Sequence, residues 1–279
     1  MTQTTLVIGA TGTVGRHIVA GLLARGVTVK AASRSGQDVD CADGVAFDFS
    51  KPDTVAGALD GVASLYLLMP AGYLNVLDLL LPVVAEAARR NIKIVFQSVV
   101  GVDADDAIPY RQIEIAIEKS GVPFVVLRPN WFSDNFHTFW KPGLDYGQIA
   151  LPADHGKSSF IDARDIAASA VVALTTSAFD GRAFNLNGPE ALTYAEAAAI
   201  LSKGLGKPVS YTAISDDAFI DILKGAGVPA DYASFMATLF YPVRQGWTGA
   251  VTDDVRVLTG KVPRTLATYV EDYAGALTA

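Results

Sequence analysis

The sequence predicts an α/β fold in which a doubly wound parallel sheet carries helices on both faces and is followed by a smaller C-terminal α+β region. Short apolar runs alternate with amphipathic segments up to Arg128, which is typical of parallel strands joined by crossover helices. After Arg128 the chain is rich in aromatic residues, glycine and proline, and the alternation loses its regularity. We therefore expect two regions, residues 1–128 and 129–279, with some elements of the second returning to the sheet of the first.

The first region contains apolar runs and amphipathic segments that we assign in chain order. Gly26 ends the first predicted helix, and Pro52 stands in the first turn of the second. The helix at residues 109–120 has Pro109 at its start and Gly121 at its end. Pro82 lies inside the longest helix and is expected to kink or interrupt it. The predicted strands cover residues 6–8, 27–32, 45–49, 64–69, 92–98 and 122–127, and the predicted helices cover residues 14–25, 52–59, 73–91 and 109–120.

The second region is predicted to mix short strands with helices. Thr193 and Glu196 form the sequence pattern of a capping box, which opens a helix that runs to Lys203. The predicted strands cover residues 158–161, 183–186 and 209–214, and the predicted helices cover residues 164–174, 194–203, 215–225, 229–241 and a last segment after Pro263.

Three glycines, Gly9, Gly12 and Gly15, recur at a spacing of three residues between the first predicted strand and the first predicted helix. A strand, a glycine turn and a helix form the unit that binds the diphosphate of a dinucleotide, because glycines permit a tight turn, close approach of backbone N–H groups and close helix packing. The alternative is a tight turn without a ligand. We predict that residues 1–128 form a Rossmann-type dinucleotide-binding domain. The expected diphosphate contacts are Gly9, Thr11, Gly12, Thr13, Val14 and Gly15.

The residues after the second predicted strand indicate which dinucleotide binds. NAD-selective sites usually carry an acidic residue there, which accepts hydrogen bonds from the ribose 2′-hydroxyl. This chain has Ser33, Arg34 and Ser35 instead, and a guanidinium pairs well with a 2′-phosphate. NADP(H) is therefore favoured over NAD(H). Two alternatives stay open: Arg34 can be a solvated surface residue, and Asp38 or Asp40 can serve a ribose hydroxyl.

Ligands of open α/β sheets bind outside the carboxyl ends of the strands, so the residues after each strand are further candidates. Asp48 can accept a hydrogen bond from the adenine amino group, and Phe49 can border the adenine ring. The alternative for Asp48 is to end a strand and open a turn. Met69 and Pro70 are expected to line the adenosine or ribose side, and Asn130 is a candidate for the nicotinamide carboxamide or a substrate carbonyl.

Composition excludes several classes of protein. Hydrophobic residues make up 51% of the chain and charged residues 18%, which suits a buried parallel sheet and excludes a disordered chain. The net charge of −7, without a clustered basic face, argues against a nucleic-acid partner. The single cysteine, Cys41, excludes an intramolecular disulfide and a cysteine zinc site. Since no secretory segment or membrane-spanning run is evident, we expect a cytoplasmic monomer or homodimer without a metal or a membrane partner.

Seven motifs, in order along the chain, resemble those of the NmrA-like, atypical branch of the short-chain dehydrogenases/reductases. They are GATGTVG at 9–15, ASR at 32–34, Asp-Phe at 48–49, VFQSVVG at 95–101, VPFVVLRPNWFSDNF at 122–136, FIDARDIA at 160–167 and FNLNGPEALTYAEAA at 184–198. The resemblance covers almost the whole chain and implies a Rossmann-type oxidoreductase, similar to NAD(P)H:quinone oxidoreductases and triphenylmethane-dye reductases. Imine reductases of ergot-alkaloid synthesis and NADP-sensing regulators resemble it as well.

The resemblance also implies catalytic positions. Most members of the wider superfamily place Tyr-x-x-x-Lys on the helix after the fifth strand, but this chain has Tyr110 and Glu114 there, one turn apart on one face. A carboxylate beside a phenol raises the pKa of the phenol, so we expect Tyr110 to be a poor proton donor, or the two residues to be an ordinary surface pair. Arg111 is expected to point to another face. Ser98 stands at the usual serine position, and His137 is a candidate proton donor or a structural histidine.

An aromatic stretch follows the sixth predicted strand, where the nicotinamide is expected. Trp131, Phe132, Phe136 and Trp140 provide flat surfaces for a planar substrate, or they seal the junction between the sheet and the C-terminal region. Quinones, cationic dyes and iminium ions accept hydride with little acid help, because positioning supplies much of the rate. The sequence therefore predicts an NAD(P)H-dependent reductase of the quinone oxidoreductase type. An NADP-sensing regulator and a biosynthetic imine or ene reductase are the alternatives.

Overall fold

The computed structural model describes residues 4–278. In chain order the strands are β1 (Thr4–Ile8), β2 (Thr28–Ser33), β3 (Asp43–Ala46), β4 (Ser64–Leu67), β5 (Lys93–Gln97), β6 (Phe124–Pro129), β7 (Gln148–Leu151), β8 (Lys157–Ser158), β9 (Arg182–Leu186), β10 (Leu192–Thr193) and β11 (Ser210–Ala213). The helices are α1 (Gly15–Leu23), α2 (Asp53–Ala58), α3 (Val76–Arg89), α4 (Pro109–Lys119), α5 (Lys141–Asp145), α6 (Ala163–Thr175), α7 (Tyr194–Leu205), α8 (Asp216–Gly225), α9 (Ala230–Thr238), α10 (Tyr241–Arg244), α11 (Asp254–Thr259), α12 (Leu266–Asp272) and α13 (Ala274–Thr278). Short 3₁₀ turns cover Val102–Ala104, Ser133–His137 and Trp247–Gly249.

The chain divides into two units. The first unit consists of Met1–Pro129, Ala163–Leu186 and Asp254–Lys261, and the second unit consists of Asn130–Asp162, Asn187–Asp253 and Val262–Ala279. The chain first leaves the first unit after Pro129, one residue later than the predicted boundary, and α6, β9 and α11 return to the first unit. Residues 1–3 and 279 of the two predicted regions lie outside the described residues.

A sheet of seven parallel strands forms the centre of the first unit, in the order β3-β2-β1-β4-β5-β6-β9. Helix α1 packs on α6, and α3 packs on α4. The predicted fold class, a doubly wound parallel sheet with helices on both faces, is therefore confirmed. The strand order reverses between β1 and β4, and open α/β sheets bind ligands at such a reversal, outside the carboxyl ends of the strands.

Burial on both faces of this sheet explains why its strands are continuously apolar. Leu6, Val7 and Ile8 of β1 are each at most 2% exposed, although successive side chains point to opposite faces. Leu6 and Ile8 join one core cluster with Leu80 of α3 and Ile113 of α4. Burial of an aliphatic side chain of this size contributes about 1.5–3 kcal/mol, so the apolar run favours a position of β1 inside the sheet.

Helix α11 of the first unit was not predicted, and β3 and α3 differ from prediction. The strand expected at residues 45–49 forms at Asp43–Ala46, because its ladder with β2 runs from Lys30↔Asp43 to Ser33↔Ala46 and β2 ends at Ser33. Helix α3 begins at Val76 and continues through Pro82 to Arg89, so the expected interruption is wrong. Proline removes one backbone donor, while the flanking turns of α3 stay buried against the core.

The second unit contains two small sheets and a largely aromatic core. Strands β7 and β11 pair in parallel, and β8 and β10 pair in antiparallel fashion. The predicted capping box is confirmed: the Thr193 hydroxyl accepts from the Glu196 N–H at 3.1 Å, and the Glu196 carboxylate accepts from the Thr193 N–H at 2.8 Å. Strand β7 was not expected, since it is a short segment whose partner β11 lies far along the chain. Within residues 4–278 no helix has both the length and the apolar character needed to cross a bilayer.

Candidate dinucleotide-binding site

The turn after β1 is built so that glycine is required at two of its positions. Gly9 has a positive φ of 69°, which L side chains rarely adopt. Its carbonyl oxygen accepts a hydrogen bond from the N–H of Gly12 at 2.9 Å. A Cβ atom on Gly15 would lie 2.0 Å from the same oxygen, so α1 can start in direct contact with the turn only when residue 15 is glycine.

This turn fits the diphosphate of a dinucleotide. Thr11 and Gly12 are exposed, whereas Val14 is buried and anchors the turn. The N–H groups of Arg16, His17 and Ile18 already donate to the carbonyls of Gly12 and Val14. The donors that the turn offers to anionic oxygens are therefore the N–H groups of residues 13–15 and the hydroxyls of Thr11 and Thr13. The turn lies at the reversal of the strand order between β1 and β4. Contact between residues 9–15 and a diphosphate stays a prediction that this geometry supports.

The turn after β2 presents Arg34 to solvent. The Ser33 hydroxyl accepts from the N–H of Gly36 at 3.1 Å and holds the turn, so the serine is itself a structural element. Arg34 is exposed. Of the two aspartates that can serve a ribose hydroxyl, Asp38 accepts from the N–H of Gly44 at 2.8 Å and ties the loop to β3. The basic side chain is therefore better placed for a ligand than Asp38 is.

Asp48 opens a turn, which is the alternative role that the sequence predicted for it. Its carboxylate accepts from the N–H of Ser50 at 2.9 Å and from the Ser50 hydroxyl at 2.6 Å. These hydrogen bonds lower the pKa of Asp48, with smaller contributions from the charges of Lys51 and Arg34. Asp48 is thus ionised at neutral pH and close enough to Arg34 to feel its charge. The contact between Asp48 and the adenine amino group stays a prediction. It would use the carboxylate lone pairs that do not accept from Ser50.

The apolar candidates at the strand ends lie mostly in the core. Phe49 is buried and packs edge-to-face on Phe47, with ring centroids 4.9 Å apart. Met69 is buried in the same core cluster, and Pro70 is half-buried. The side chains of Phe49 and Met69 therefore offer little surface for the adenosine contacts that the sequence predicts.

Ser98 carries a buried hydroxyl that has no hydrogen-bond partner among residues 4–278. Its N–H donates to the carbonyl of Leu127 at 2.8 Å, which places the residue just beyond the carboxyl end of β5. A buried hydroxyl without a partner costs about 1–3 kcal/mol, so proteins rarely keep one without a reason. An orphaned hydroxyl at the ligand-binding edge of the sheet fits a polar group of a bound cofactor or substrate.

The structure corrects the expectation for the Tyr110 helix. Glu114 is fully buried and accepts two hydrogen bonds from the Arg128 guanidinium, at 2.9 and 2.7 Å. Arg111 does not point to another face: it donates to Glu114 at 3.0 Å, since residues three apart on a helix are neighbours and the arginine side chain is long. Tyr110 packs parallel to Phe96 with centroids 6.2 Å apart. Glu114 is thus a compensated, buried carboxylate and not a surface partner of the phenol.

Arg128 completes this cluster and was not singled out by sequence reasoning. It also donates to Asp103 of the first 3₁₀ turn at 2.5 Å. Burial by itself lowers the pKa of Arg128, but the hydrogen bonds and charge of Glu114 and the charge of Asp103 outweigh it and raise the pKa. A signal was present, because an arginine at the end of an apolar strand needs a carboxylate partner once it is buried.

Asn130, the first residue of the second unit, uses its amide within that unit. The side-chain nitrogen of Asn130 donates to the side-chain oxygen of Asn187 at 3.3 Å and to the backbone oxygen of Thr248 at 2.7 Å. Its side-chain oxygen accepts from the Trp131 N–H at 2.8 Å. Both N–H donors are thus engaged, and one lone pair of the oxygen remains for the carboxamide contact that the sequence predicts.

The four aromatic candidates separate into two groups. Phe136 and Trp140 are buried in the core of the second unit, with ring centroids 5.0 Å apart. Trp131 and Phe132 are half-buried, and Trp131 lies 4.8 Å from the ring of Phe240 in a stacked arrangement. Phe136 and Trp140 are core residues of the second unit, so their rings offer little surface to a substrate, while Trp131 and Phe132 stay candidates for substrate contact.

His137 is held in an aromatic stack. Its ring lies nearly parallel to Tyr269 and Tyr273, with centroids 5.9 and 5.3 Å away, and its Nδ1 atom shares a hydrogen bond with the Tyr269 hydroxyl. These contacts favour the structural alternative for His137 over the role of proton donor. Within residues 4–278 no group of three or more His, Cys, Asp or Glu residues is arranged to hold a metal ion.

Comparisons with known proteins give a coherent result. The model of the NmrA-like family matches residues 1–245. The uncharacterized oxidoreductase YesF of Bacillus subtilis is 34% identical over 271 residues, which cover 96% of this chain and 94% of YesF. The NAD(P)H azoreductase of Xenophilus azovorans is 30% identical over 284 residues, which cover 97% of this chain and 98% of that protein.

A solved structure supports the fold. The NADPH-dependent quinone oxidoreductase QOR2 of Escherichia coli, complexed with NADPH, superposes with a TM-score of 0.81 at 24% identity. The superposition covers 96% of this chain and 99% of QOR2. At this level of identity the likeness concerns the backbone fold, so the choice of substrate has to be argued from the residues of this chain.

Proposed function

This chain belongs to the NmrA-like family, and on that premise we propose that it is an NAD(P)H-dependent reductase. Its substrate in this proposal is a quinone or a similar planar electrophile, and its preferred cofactor is NADPH. When bound, NADPH supplies the hydride. The full-length relatives named as an oxidoreductase and as an NAD(P)H azoreductase support the general class of reaction.

The glycine turn after β1 is the observation that carries this proposal. The contact between Gly15 and the Gly9 carbonyl, where a Cβ would lie 2.0 Å from oxygen, brings the start of α1 against the turn. The N–H groups of residues 13–15 and the hydroxyls of Thr11 and Thr13 then bind the diphosphate. Arg34, exposed after β2, holds the 2′-phosphate and sets the preference for NADPH.

The same site lacks the proton-donating pair of the wider superfamily, which supports an acceptor that needs little acid help. The position of the usual lysine is occupied by Glu114, and this carboxylate is bound to Arg128 and Arg111. Ser98 provides the hydroxyl that orients a polar group at the end of β5. Trp131 and Phe132 are the proposed substrate contacts of the second unit. Quinones suit these residues because orientation alone supplies much of the rate of hydride transfer.

A second candidate function is an NADP-sensing regulator without turnover. The specific observation in its favour is again Glu114, since a buried, fully compensated carboxylate beside Tyr110 leaves that helix without an acid–base pair. Both candidates require the same dinucleotide site, and they differ in whether bound NADPH is consumed.

Steady-state oxidation of NADPH with benzoquinone, naphthoquinone, a triphenylmethane dye and an azo dye tests the proposal. We expect many turnovers per protein molecule with at least one quinone. If calorimetry detects NADPH binding while no acceptor is reduced, the regulator is the better interpretation.

A pair of glycine variants tests the observation that carries the proposal. Gly15→Ala should abolish NADPH binding and turnover, because the new methyl group would overlap the Gly9 carbonyl. Gly57→Ala in α2 is the matched control, since a Cβ there meets nothing within 4 Å. Circular dichroism establishes that both variants are folded. Unchanged NADPH affinity in folded Gly15→Ala would contradict the assignment of the turn.

A further inference from the structure

Residues 240–249 of the second unit, here called the 240–249 segment, contact the two residues that follow β6. Near its start the ring of Phe240 stacks on Trp131, with centroids 4.8 Å apart. Near its end the backbone oxygen of Thr248 accepts from the Asn130 amide at 2.7 Å. Both ends of the segment are therefore fixed to the residues at which the sequence predicts substrate and nicotinamide contacts.

The segment exposes two large aromatic side chains between these attachment points. Tyr241 is 51% exposed and Trp247 is 59% exposed. Their ring centroids lie 5.7 Å apart at an interplanar angle of 85°. The rings thus form a corner, in which a flat molecule that stacks on the face of one ring presents its own edge to the other ring. Both face-to-face and edge-to-face contacts between aromatic rings are favourable.

Hydrogen bonds hold the backbone that carries this corner. Arg244 donates two hydrogen bonds to Asp216, at 2.9 and 3.0 Å, and a third to the Pro152 carbonyl at 2.6 Å. The Thr248 hydroxyl donates to the Lys157 carbonyl at 2.6 Å. Because the segment is already ordered, a ligand that binds to Tyr241 and Trp247 loses little affinity to the ordering of loops and side chains.

The size of the corner points to a small molecule. An aromatic side chain buries about 150–250 Å² when fully covered, so two half-exposed rings offer roughly 250 Å². A stable protein interface needs about 800 Å² from each partner. A bicyclic quinone, by contrast, can cover a large part of its own surface with two rings set at right angles.

We propose that Tyr241 and Trp247 form the ring-binding wall of the substrate site and favour bicyclic over monocyclic aromatic acceptors. This inference rests on the proposed function and deepens it. The wall takes over the role that the sequence assigned to Phe136 and Trp140, whose rings are buried in the core. A larger fused ring covers more of both side chains, and the gain in contact area sets the order of substrates.

Kinetics of Tyr241→Ala and Trp247→Ala with naphthoquinone and benzoquinone test the wall. We expect the KM for naphthoquinone to rise on the order of 10-fold in each variant, with smaller changes for benzoquinone. The kcat and the KM for NADPH should stay unchanged, because ring stacking is equal in the ground state and the transition state. Trp247→Phe keeps a ring and should recover most of the affinity.

The matched control is Tyr146→Ala, which removes a tyrosine that is 91% exposed elsewhere in the second unit. A KM for naphthoquinone within about twofold of this control in both alanine variants would overturn the proposal. A change in sedimentation behaviour without a change in KM would also overturn it and would indicate a protein contact instead.

A measurement without turnover separates this inference from the proposed function. Naphthoquinone titrated into the protein without cofactor should quench tryptophan fluorescence saturably, and Trp247→Phe should lose most of that quenching. If no acceptor is reduced, the proposed function fails, while the titration still decides the inference. If naphthoquinone quenches the fluorescence of Trp247→Phe and of the unchanged protein saturably and to the same extent, the proposed ring-binding wall is wrong.

Discussion

Replacing Glu114 with glutamine removes the charge that compensates Arg128 inside the first unit. Glu114 is fully buried, and its two oxygens accept from the Arg128 guanidinium at 2.9 and 2.7 Å. In the variant, Arg128 keeps its contact with Asp103, whose side chain is 46% exposed. A largely buried guanidinium then depends on one half-solvated carboxylate.

The loss of stability in Glu114→Gln follows from the burial of the Glu114–Arg128 ion pair. Breaking a buried ion pair by removing one partner costs about 3–5 kcal/mol, because the remaining charge stays desolvated. Asp103 offsets part of this loss, so we expect Glu114→Gln to lower the free energy of unfolding by about 3 kcal/mol. This corresponds to roughly a 100-fold shift in the opening equilibrium of the first unit. Replacing both Glu114 and Arg128 with methionine should cost less than the single change, since both desolvation penalties disappear together.

Hydrogen exchange at the amides of β6 and α4 is the suitable assay. Trp131, Trp140 and Trp247, the three tryptophans of the chain, all lie in the second unit, so their fluorescence does not report on the first unit. The slowest amides of β6 and α4 report the opening of the first unit directly. In Glu114→Gln they should exchange about 100-fold faster than in the unchanged protein.

An exposed ion pair provides the control. Arg89 pairs with Glu86 on α3, and its side chain is 66% exposed, so Arg89→Ala should cost less than about 1 kcal/mol. The reasoning is refuted if Glu114→Gln accelerates exchange no more than Arg89→Ala does. It is also refuted if the double methionine variant exchanges faster than Glu114→Gln.

Three further outcomes are expected. Arg34→Ala should weaken the binding of NADPH by roughly 10- to 100-fold and that of NADH by much less, because only NADPH has the 2′-phosphate. Equal losses of affinity for the two cofactors, measured by calorimetry, would remove the basis for the NADPH preference. Ser98→Ala should leave the protein without cofactor as stable or more stable, because an orphaned hydroxyl is lost, yet it should reduce the rate of NADPH oxidation; a clear fall in melting temperature would contradict this. Hydrogen bonds from Arg89 and Arg90 lower the pKa of Glu86 from 4.5 to about 2, so its stabilising contribution is complete above pH 4.5 and is lost as the pH falls towards 2. Thermal unfolding of Glu86→Gln should therefore differ from that of the unchanged protein near neutral pH and converge with it near pH 2, and a constant difference would contradict the assignment.

Local patterns in the sequence predicted most of the first unit. The glycine spacing and the apolar run at Leu6 to Ile8 predicted β1, the turn and α1, since each depends on residues close together in the chain. Thr193 and Glu196 predicted the start of α7 for the same reason. Strand β3 shifted because its end depends on where β2 stops, and the chain near β3 carries no information about that.

The candidate site shows the same division between local and distant information. Arg34 and Ser98 were recognisable because each lies at the carboxyl end of a predicted strand. The pairing of Glu114 with Arg128 was not recognisable, because Arg128 comes from β6 and reaches Glu114 only when α4 packs on the sheet. Tyr241 and Trp247 were also missed. Their exposure, and the contacts of the neighbouring Phe240 and Thr248 with Trp131 and Asn130, depend on the packing of segments that are distant in the chain.

The sequence by itself determined that this chain forms a parallel α/β sheet with a glycine turn at its first strand, because strand, helix and turn preferences are properties of neighbouring residues. The tertiary structure alone decided which polar and aromatic groups stay available for chemistry. Burial and long-range hydrogen bonds engaged Glu114, Asn130, Phe136 and Trp140. Among the described residues they left the buried Ser98 hydroxyl without a partner and Arg34 exposed to solvent. Those choices follow from which surfaces meet when the elements pack, and no local pattern specifies them.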